Sequence, residues 1–93
     1  MKKTSNTWKL DLSDVARAQI KKLDREISKR ILGYLKKNVL ACDNPRLFGD
    51  SLVANMSGLW RYRVGGYRVI CKIEDDKLII MVLKIAHRRE VYE

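Results

Sequence analysis

The fold is decided by residues 59–74, which read LWRYRVGGYRVICKIE and alternate between apolar and polar side chains on both sides of a Gly-Gly pair. Two alternating runs separated by Gly65 and Gly66 predict a β-hairpin with a two-residue turn. Residues that lie directly opposite each other in such a hairpin share one face of the sheet. The predicted pairs are Val64 with Tyr67, Arg63 with Arg68, Tyr62 with Val69, Arg61 with Ile70 and Trp60 with Cys71.

The two faces of this hairpin differ in chemistry. The apolar face is suited to packing against helices and carries Trp60, Tyr62, Val64, Tyr67, Val69, Cys71 and Ile73. The other face, called the basic face below, carries Arg61, Arg63, Arg68 and Lys72. Like charges directly opposite each other are destabilising, so the Arg63–Arg68 pair indicates an anion site, and guanidinium groups match phosphate oxygens. The alternative is that these residues only form the solvated face of a sheet.

Length and charge favour the anion site. The chain has 93 residues, which is enough for a single domain over residues 1–93, and its formal net charge is +9. Basic residues occur in both halves of the chain, so a disordered basic arm does not account for the charge. The expected partner is a nucleic acid, an acidic protein or an anionic surface.

Cysteine usage and hydropathy exclude other classes of protein. Cys42 and Cys71 are too few for a disulfide framework, and neither has metal-site spacing with the only histidine, His87. Residues 4–7 are polar where a signal peptide requires an apolar segment, and the longest apolar run, residues 78–83, is far shorter than the roughly 20 residues of a membrane span. We therefore expect a cytoplasmic protein with free thiols, no cofactor and no membrane contact.

The remaining sequence predicts an α+β domain. Residues 8–12 alternate as a short strand, a first helix follows a cap at Ser13 or Asp14, and a second helix follows Asp24. The expected apolar face of the first helix carries Val15, Ala18, Ile20 and Leu23, and that of the second carries Ile27, Ile31, Tyr34, Leu35 and Val39. Strands are predicted over residues 59–64, 67–74 and 77–86, with a short edge segment near Leu52. An N-terminal strand, a two-helix hairpin and a three-strand antiparallel meander place the helices on one face of the sheet.

Strand direction brings the end of the chain to the basic face. The last strand returns toward the Gly-Gly turn, so residues beyond Ile85 are expected near the Arg63–Arg68 pair. Strict alternation along this strand puts His87 on the basic face. We therefore predict that His87, Arg88, Arg89 and Tyr92 lie beside the basic face, with the acidic turn at residues 74–76 at the opposite end.

These residue types suit cleavage of RNA by its own 2′-hydroxyl. That reaction needs a proton acceptor, cationic donors for the phosphorane, a proton donor for the 5′-oxygen and in-line geometry. Arginine supplies positive charge but exchanges protons poorly, so proton transfer falls to His87 or Tyr92. Tyr92 has a second candidate role, which is to stack on a base. The basic side lacks a carboxylate cluster in the sequence, which favours a metal-independent route.

The chain resembles the RelE-type toxins of bacterial toxin–antitoxin systems, within the RelE/ParE superfamily. The resemblance rests on RLFGDSL at residues 46–52, SGLWRYRVGGYRVIC at residues 57–71 and AHRREVY at residues 86–92. It implies a small α+β endoribonuclease with the RelE-like microbial RNase fold that cuts mRNA in the ribosomal A site and arrests translation. It also implies a cognate antitoxin that neutralises the toxin. Operator DNA is then contacted only through the antitoxin. Charge alone suggests that the antitoxin segment is acidic.

The resemblance also implies roles for single residues. Arg61 and Arg63 match positions that contact the scissile phosphate, although well-known members carry lysine there. Arg68 matches an arginine that stabilises the transition state, Arg88 matches the arginine of the terminal motif, and Tyr92 matches a tyrosine of proton transfer or base orientation. The predicted catalytic residues are Arg63, Arg68, Arg88 and Tyr92, and the predicted substrate contacts are Arg61, Lys72, His87 and Arg89.

Two other functions stay open at this point. ParE-type toxins of the same superfamily inhibit DNA gyrase without cutting RNA, and they generally lack the full basic set together with the terminal tyrosine. The third candidate is a plain nucleic-acid-binding module whose arginines position phosphate without chemistry.

Overall fold

The computed structural model describes residues 8–41, 43–52 and 57–87. Within these ranges the chain forms a five-stranded sheet and two α-helices. The elements are β1 (Lys9–Leu12), α1 (Asp14–Lys22), α2 (Arg25–Tyr34), β2 (Asp50–Ser51), β3 (Trp60–Val64), β4 (Tyr67–Glu74) and β5 (Ile79–His87). A π-helical segment, Leu35–Leu40, extends α2, and Pro45–Leu47 forms a 3₁₀ turn.

The sheet has the strand order β1-β5-β4-β3-β2. β1 runs parallel to β5, whereas the other neighbouring strands are antiparallel. The α+β class, the meander and the edge segment near Leu52 are as predicted. β5 has a neighbour on each side, as its apolar run indicated, although Ile79, Met81 and Leu83 are only half-buried.

The helices cover one face of the sheet and form the core with it. Ile31, Leu35 and Val39 of the second helix are buried at the spacing that the sequence predicted. They pack with the apolar face of the hairpin, where Tyr62 is fully buried and its hydroxyl donates to the Pro45 carbonyl oxygen at 2.6 Å. Neither described helix combines the length and apolar character that crossing a membrane requires.

The predicted apolar face of α1 is partly wrong. Val15 is 57% exposed, and the buried residue of this helix is Ala16. The reason is the anchoring of Ser13, whose hydroxyl caps the Ala16 N–H at 3.0 Å and donates to the Leu83 carbonyl oxygen at 2.6 Å. Ala16 lies one turn after this anchor and therefore faces the sheet.

The β3–β4 hairpin has the predicted register at all of its pairs. Arg63 faces Arg68, Tyr62 faces Val69, and the remaining pairs agree as well. Gly65 has φ +62°, which a type II′ turn requires at its first central residue and which glycine adopts without steric cost.

The β4–β5 pairing contains a bulge that the alternation pattern did not predict. Cys71 faces Val82, but the next residue back along β4, Ile70, faces Lys84. Leu83 is therefore an extra residue in β5. A single inserted residue moves all later side chains of a strand to the opposite face. The turn before β5 has four residues, 75–78, whereas a minimal turn has two. Because the two lengths differ by an even number, the turn does not change which side chains of β5 lie on each face of the sheet.

Candidate functional site

The basic face lies opposite the helices and collects cations from three strands. Arg61 and Arg63 come from β3, Arg68 and Lys72 from β4, and Lys84 from β5. Arg61 faces Ile70, which faces Lys84, and the next row holds Arg63, Arg68 and Ala86. The sheet thus brings four of these cations into two adjacent rows at the Gly-Gly end.

The Arg63–Arg68 pair is the centre of this arrangement. The two residues are directly opposite each other, and the Arg63 side chain is 58% exposed. A direct cross-strand pair of cations is unfavourable by itself, whereas a phosphate between two guanidinium groups turns the same arrangement into paired charge-assisted hydrogen bonds. The geometry is therefore suited to a phosphodiester.

Lys84 belongs to the site although the sequence prediction did not include it. The bulge at Leu83 places it on the basic face, where it is exposed. A signal for this placement was present in the sequence. Unbroken alternation after Ile80 and Val82 would have buried the Lys84 ammonium in the core, and lysine is almost never fully buried without a partner.

The same bulge shows that the predicted placement of His87 is wrong. His87 faces Tyr67 and lies on the helix-covered face of the sheet. The two rings meet edge to face, with centroids 4.9 Å apart and an interplanar angle of 90°. A groove of about 390 Å³ lies beside them and is lined by Gln19, Lys22, Leu23, Tyr67, Ile85 and His87.

Lys72 is exposed on the basic face, as predicted, but far from the centre of the site. It faces Met81 and is four residues along β4 from Arg68. At about 3.3 Å per residue this separation is roughly 13 Å. Lys72 therefore lies outside the two rows that hold Arg61, Arg63, Arg68 and Lys84.

An apolar side chain forms the floor between the cations. Ile70 is 3% exposed although it lies on the face opposite the helices, between Arg61 and Lys84 in the cross-strand row. A charge above such a floor has fewer water molecules around it, so its attraction for an anion is stronger than on a fully solvated surface.

An acidic residue from the neighbouring edge strand contacts the site. Asp50 of β2 faces Arg61, and its Oδ2 lies 3.1 Å from Arg61 Nη2 and 3.8 Å from Arg63 Nη2. Arg61 Nε is buried and has no hydrogen-bond partner among the described residues. The sequence prediction did not single out Asp50, because it lies outside the alternating hairpin.

Three predicted site residues, Arg88, Arg89 and Tyr92, lie outside the described residues. The predicted direction of β5 holds up to its end, since Ala86 faces Arg68 and His87 is the last residue of the strand. Cys42 is also outside the described residues. Cys71 is buried in the core, and burial raises the pKa of its thiol to about 12, so it is not a nucleophile at neutral pH.

The described residues, 8–41, 43–52 and 57–87, contain no group of three His, Cys, Asp or Glu side chains placed to hold a metal ion. The model of the family described as "ParE toxin of type II toxin-antitoxin system, parDE" matches residues 10–92. A comparison with curated protein sequences gives no significant match.

Solved structures share the fold. The RelBE2 toxin–antitoxin complex from Mycobacterium tuberculosis superposes with a TM-score of 0.78 at 22% identity, covering 89% of this chain and 93% of that one. The RelBE complex from E. coli gives 0.69 at 18% identity, with 87% and 96% covered. The RelE–RelB complex from Pyrococcus horikoshii gives 0.64 at 22% identity, with 91% and 99% covered.

The family model spans almost the whole chain, and the solved toxin–antitoxin structures share its fold. The chain therefore belongs to the ParE toxin family of type II toxin–antitoxin systems, within the RelE/ParE superfamily.

Proposed function

We propose that this toxin is a metal-independent endoribonuclease that cuts mRNA in the ribosomal A site and thereby arrests translation. The observation that carries the proposal is the Arg63–Arg68 pair, flanked by Arg61 and Lys84 on the basic face. The 2′-oxygen loses its proton to a base and bonds to the phosphorus, the bond from phosphorus to the 5′-oxygen breaks, and the 5′-oxygen leaves as a hydroxyl after it takes up a proton. The attack increases the negative charge on the phosphoryl oxygens. Fixed guanidinium groups stabilise that charge more in the transition state than in the ground state.

The proposed roles follow from the placement of each group. Arg63 and Arg68 hold the scissile phosphate, Arg61 and Lys84 add positive charge beside it, and Lys72 contacts a neighbouring nucleotide. Arg88 and Arg89 are proposed as further cations. Tyr92 is the proposed proton-transfer residue, because His87 lies on the helix-covered face of the sheet and not on the basic face with Arg68.

The proposed partner besides mRNA is a cognate antitoxin. The matched structures from M. tuberculosis and E. coli are described as toxin–antitoxin complexes, and the one from P. horikoshii is described as a RelE–RelB complex. A formal charge of +9 suits an acidic antitoxin segment that folds on the toxin and excludes RNA. Contact with operator DNA would then occur only through the antitoxin. We propose the cytoplasm as the place of action, because translating ribosomes are there.

The test is cleavage of mRNA on translating ribosomes by the purified toxin, with cut sites mapped by primer extension. We expect cleavage by the wild type and a loss of at least about 100-fold for Arg63→Gln or Arg68→Gln. Arg25→Gln is the matched control, because Arg25 is exposed on α2 and away from the sheet. Intact transcripts at toxin concentrations that stop growth would refute the proposal.

Gyrase inhibition is the second candidate, and the family model favours it, because that model describes ParE toxins. A supercoiling assay with purified DNA gyrase separates the two functions. The endoribonuclease proposal predicts unchanged supercoiling at toxin concentrations that cut mRNA. Blocked supercoiling together with intact mRNA would establish the gyrase inhibitor instead.

A further inference from the structure

Asp50 contacts the arginines that would hold a phosphate. Its Oδ2 is 3.1 Å from Arg61 Nη2 and 3.8 Å from Arg63 Nη2, so a single carboxylate oxygen lies within ion-pair distance of both guanidinium groups. A phosphate oxygen bound between the same two side chains would have the same charge and the same neighbours. The carboxylate and a phosphate therefore compete for one position.

The backbone holds Asp50 in this place. Asp50 faces Arg61 in the β2–β3 pairing, and the preceding residue, Gly49, has φ +85°. A β-carbon on Gly49 would overlap the Arg61 carbonyl oxygen and lie 2.6 Å from Trp60 Nε1. Only glycine allows this close approach of the two strands. The carboxylate thus reaches the arginines through a fixed strand position and not through a long mobile loop.

The contact is nevertheless easy to displace. The Asp50 side chain is 48% exposed, and β2 has only two residues. Ion pairs of this exposure contribute little to stability, because water and salt screen them. A phosphodiester that also contacts Arg68 and Lys84 forms more ion pairs than the carboxylate does, so its binding is favoured over the Asp50 contact.

We infer that Asp50 is an internal competitor for the phosphate site: it forms ion pairs with Arg61 and Arg63 in the free toxin and is displaced when RNA binds. The identity of the ligand as RNA rests on the proposed function. The effect of the competitor is discrimination. An anion that contacts only Arg61 and Arg63 is bound weakly, because it must displace the carboxylate. A substrate that contacts the whole basic face is bound despite this competition.

The experiment measures binding without cleavage. The probe is a fluorescent single-stranded 2′-O-methyl RNA oligonucleotide, which lacks the free 2′-hydroxyl and stays intact whether or not the toxin is a nuclease. The dissociation constants of wild type, Asp50→Asn and Asp11→Asn are measured by anisotropy over a series of salt concentrations. Asp11 is the matched control, because it is an exposed carboxylate on the same face of the sheet, on β1, opposite Met81 and remote from β3.

Both substitutions raise the net charge by one, so a difference between them reports the local effect of Asp50 beside Arg61 and Arg63 and not the change in net charge. We expect Asp50→Asn to bind about three- to tenfold more tightly than Asp11→Asn, and Asp11→Asn to stay within about twofold of wild type. The slope of log K against log salt should be similar for the two variants, because displacement of the carboxylate leaves the number of phosphate contacts in the complex unchanged.

Equal affinities of the two variants would overturn the inference. Weaker binding by Asp50→Asn would also overturn it, and would show that Asp50 orients the arginines for the ligand. Asp50→Ser serves as a second variant, and thermal melts confirm that each protein is folded. In an Arg61→Gln background the gain from Asp50→Asn should shrink, because the residue on which the carboxylate acts is missing. A failed ribosome-cleavage assay would refute the nuclease proposal but leave this binding comparison intact.

Discussion

Gln19 of α1 exchanges two hydrogen bonds with the backbone of Ile85 in β5. Its Nε2 donates to the Ile85 carbonyl oxygen and its Oε1 accepts from the Ile85 N–H, both at 2.7 Å. The strand β1 ends opposite Val82, so beyond that point the side-chain amide takes the place of a neighbouring strand. Lys84 and Ile85 are the two residues that follow the bulge at Leu83. This clamp of two hydrogen bonds therefore helps to fix the register that keeps Lys84 on the basic face.

Replacement of Gln19 tests the clamp. Gln19→Ala leaves the half-buried N–H and C=O of Ile85 without these partners, so we expect the free energy of unfolding to fall by about 1–3 kcal/mol. Urea denaturation followed by tryptophan fluorescence measures the change. Lys21→Ala is the control, because Lys21 is exposed on the same helix and should change stability by less than about 0.5 kcal/mol. Equal stability of both variants would mean that water satisfies Ile85.

Lys84 and His87 should respond in opposite ways. Lys84→Gln removes a cation from the basic face, and we expect mRNA cleavage to fall about five- to tenfold with stability unchanged. His87→Gln changes a residue on the helix-covered face, so it should lower stability through the lost contact with Tyr67 and leave cleavage of the folded protein unchanged. Cleavage rates on ribosomes and thermal melts are measured for both. A loss of cleavage confined to His87→Gln would return that residue to the active site.

Arg68 and Arg88 should be required for toxicity. We expect Arg68→Ala and Arg88→Ala each to abolish growth arrest in cells while the circular dichroism spectrum stays that of a folded protein, because the arginines are proposed to act on phosphate. Loss of a positively charged side chain that contacts the transition state typically lowers the rate by about 100-fold or more. Full growth arrest by both variants would remove these residues from the mechanism.

The role of Tyr92 can be separated into stacking and proton transfer. Tyr92→Phe keeps the ring and removes the hydroxyl. If the phenol transfers a proton, as we propose, the cleavage rate falls by about 100-fold or more while binding of the 2′-O-methyl oligonucleotide is unchanged. Unchanged cleavage would identify the ring as a stacking platform.

Acid should weaken the protein through Asp75. Arg46 donates two hydrogen bonds of 2.9 Å to the Asp75 carboxylate, and these bonds lower its pKa below the ordinary value. The unfolded chain has the ordinary pKa of about 3.9, so the pair stabilises the fold above about pH 4 and this stabilisation is lost as the pH falls through the folded pKa. Both side chains are exposed, so the effect is small.

Thermal melts of wild type and Asp75→Asn measure this contribution. The difference in melting temperature should be present at pH 7 and should shrink as the pH falls below about 4 and through the lowered folded pKa of Asp75. Asp76→Asn is the control, because Asp76 is a neighbouring exposed carboxylate in the same turn. A difference for Asp75→Asn that does not change with pH would exclude the ion pair as its source.

The predictable part of the fold came from local patterns. The β3–β4 register was correct at every pair, because a Gly-Gly turn and strict alternation leave one arrangement that separates apolar from charged side chains. The same patterns located the helices and the core positions Ile31, Leu35 and Val39. The Arg63–Arg68 pair, which is the centre of the candidate site, followed from that register.

The missed features depend on contacts between residues that are far apart in the chain. Val15 was expected in the core, but the hydrogen bonds of Ser13 to β5 turn α1 so that Ala16 faces the sheet. Asp50 entered the site because the strand β2 pairs with β3. Neither relationship has a local sequence signal, since each joins segments that fold next to each other only in the complete sheet.

The amino-acid sequence by itself determined which side chains alternate, where the hairpin turns and that its two faces differ in charge, because these properties depend on neighbouring residues. The tertiary structure decided where the alternation of β5 inverts, and thereby that Lys84 and not His87 faces the basic site. The bulge at Leu83 is fixed by pairing with β4 and by the Ser13 and Gln19 contacts on the other edge of β5. One inserted residue inverts the alternation, and its position depends on all three of these elements at once.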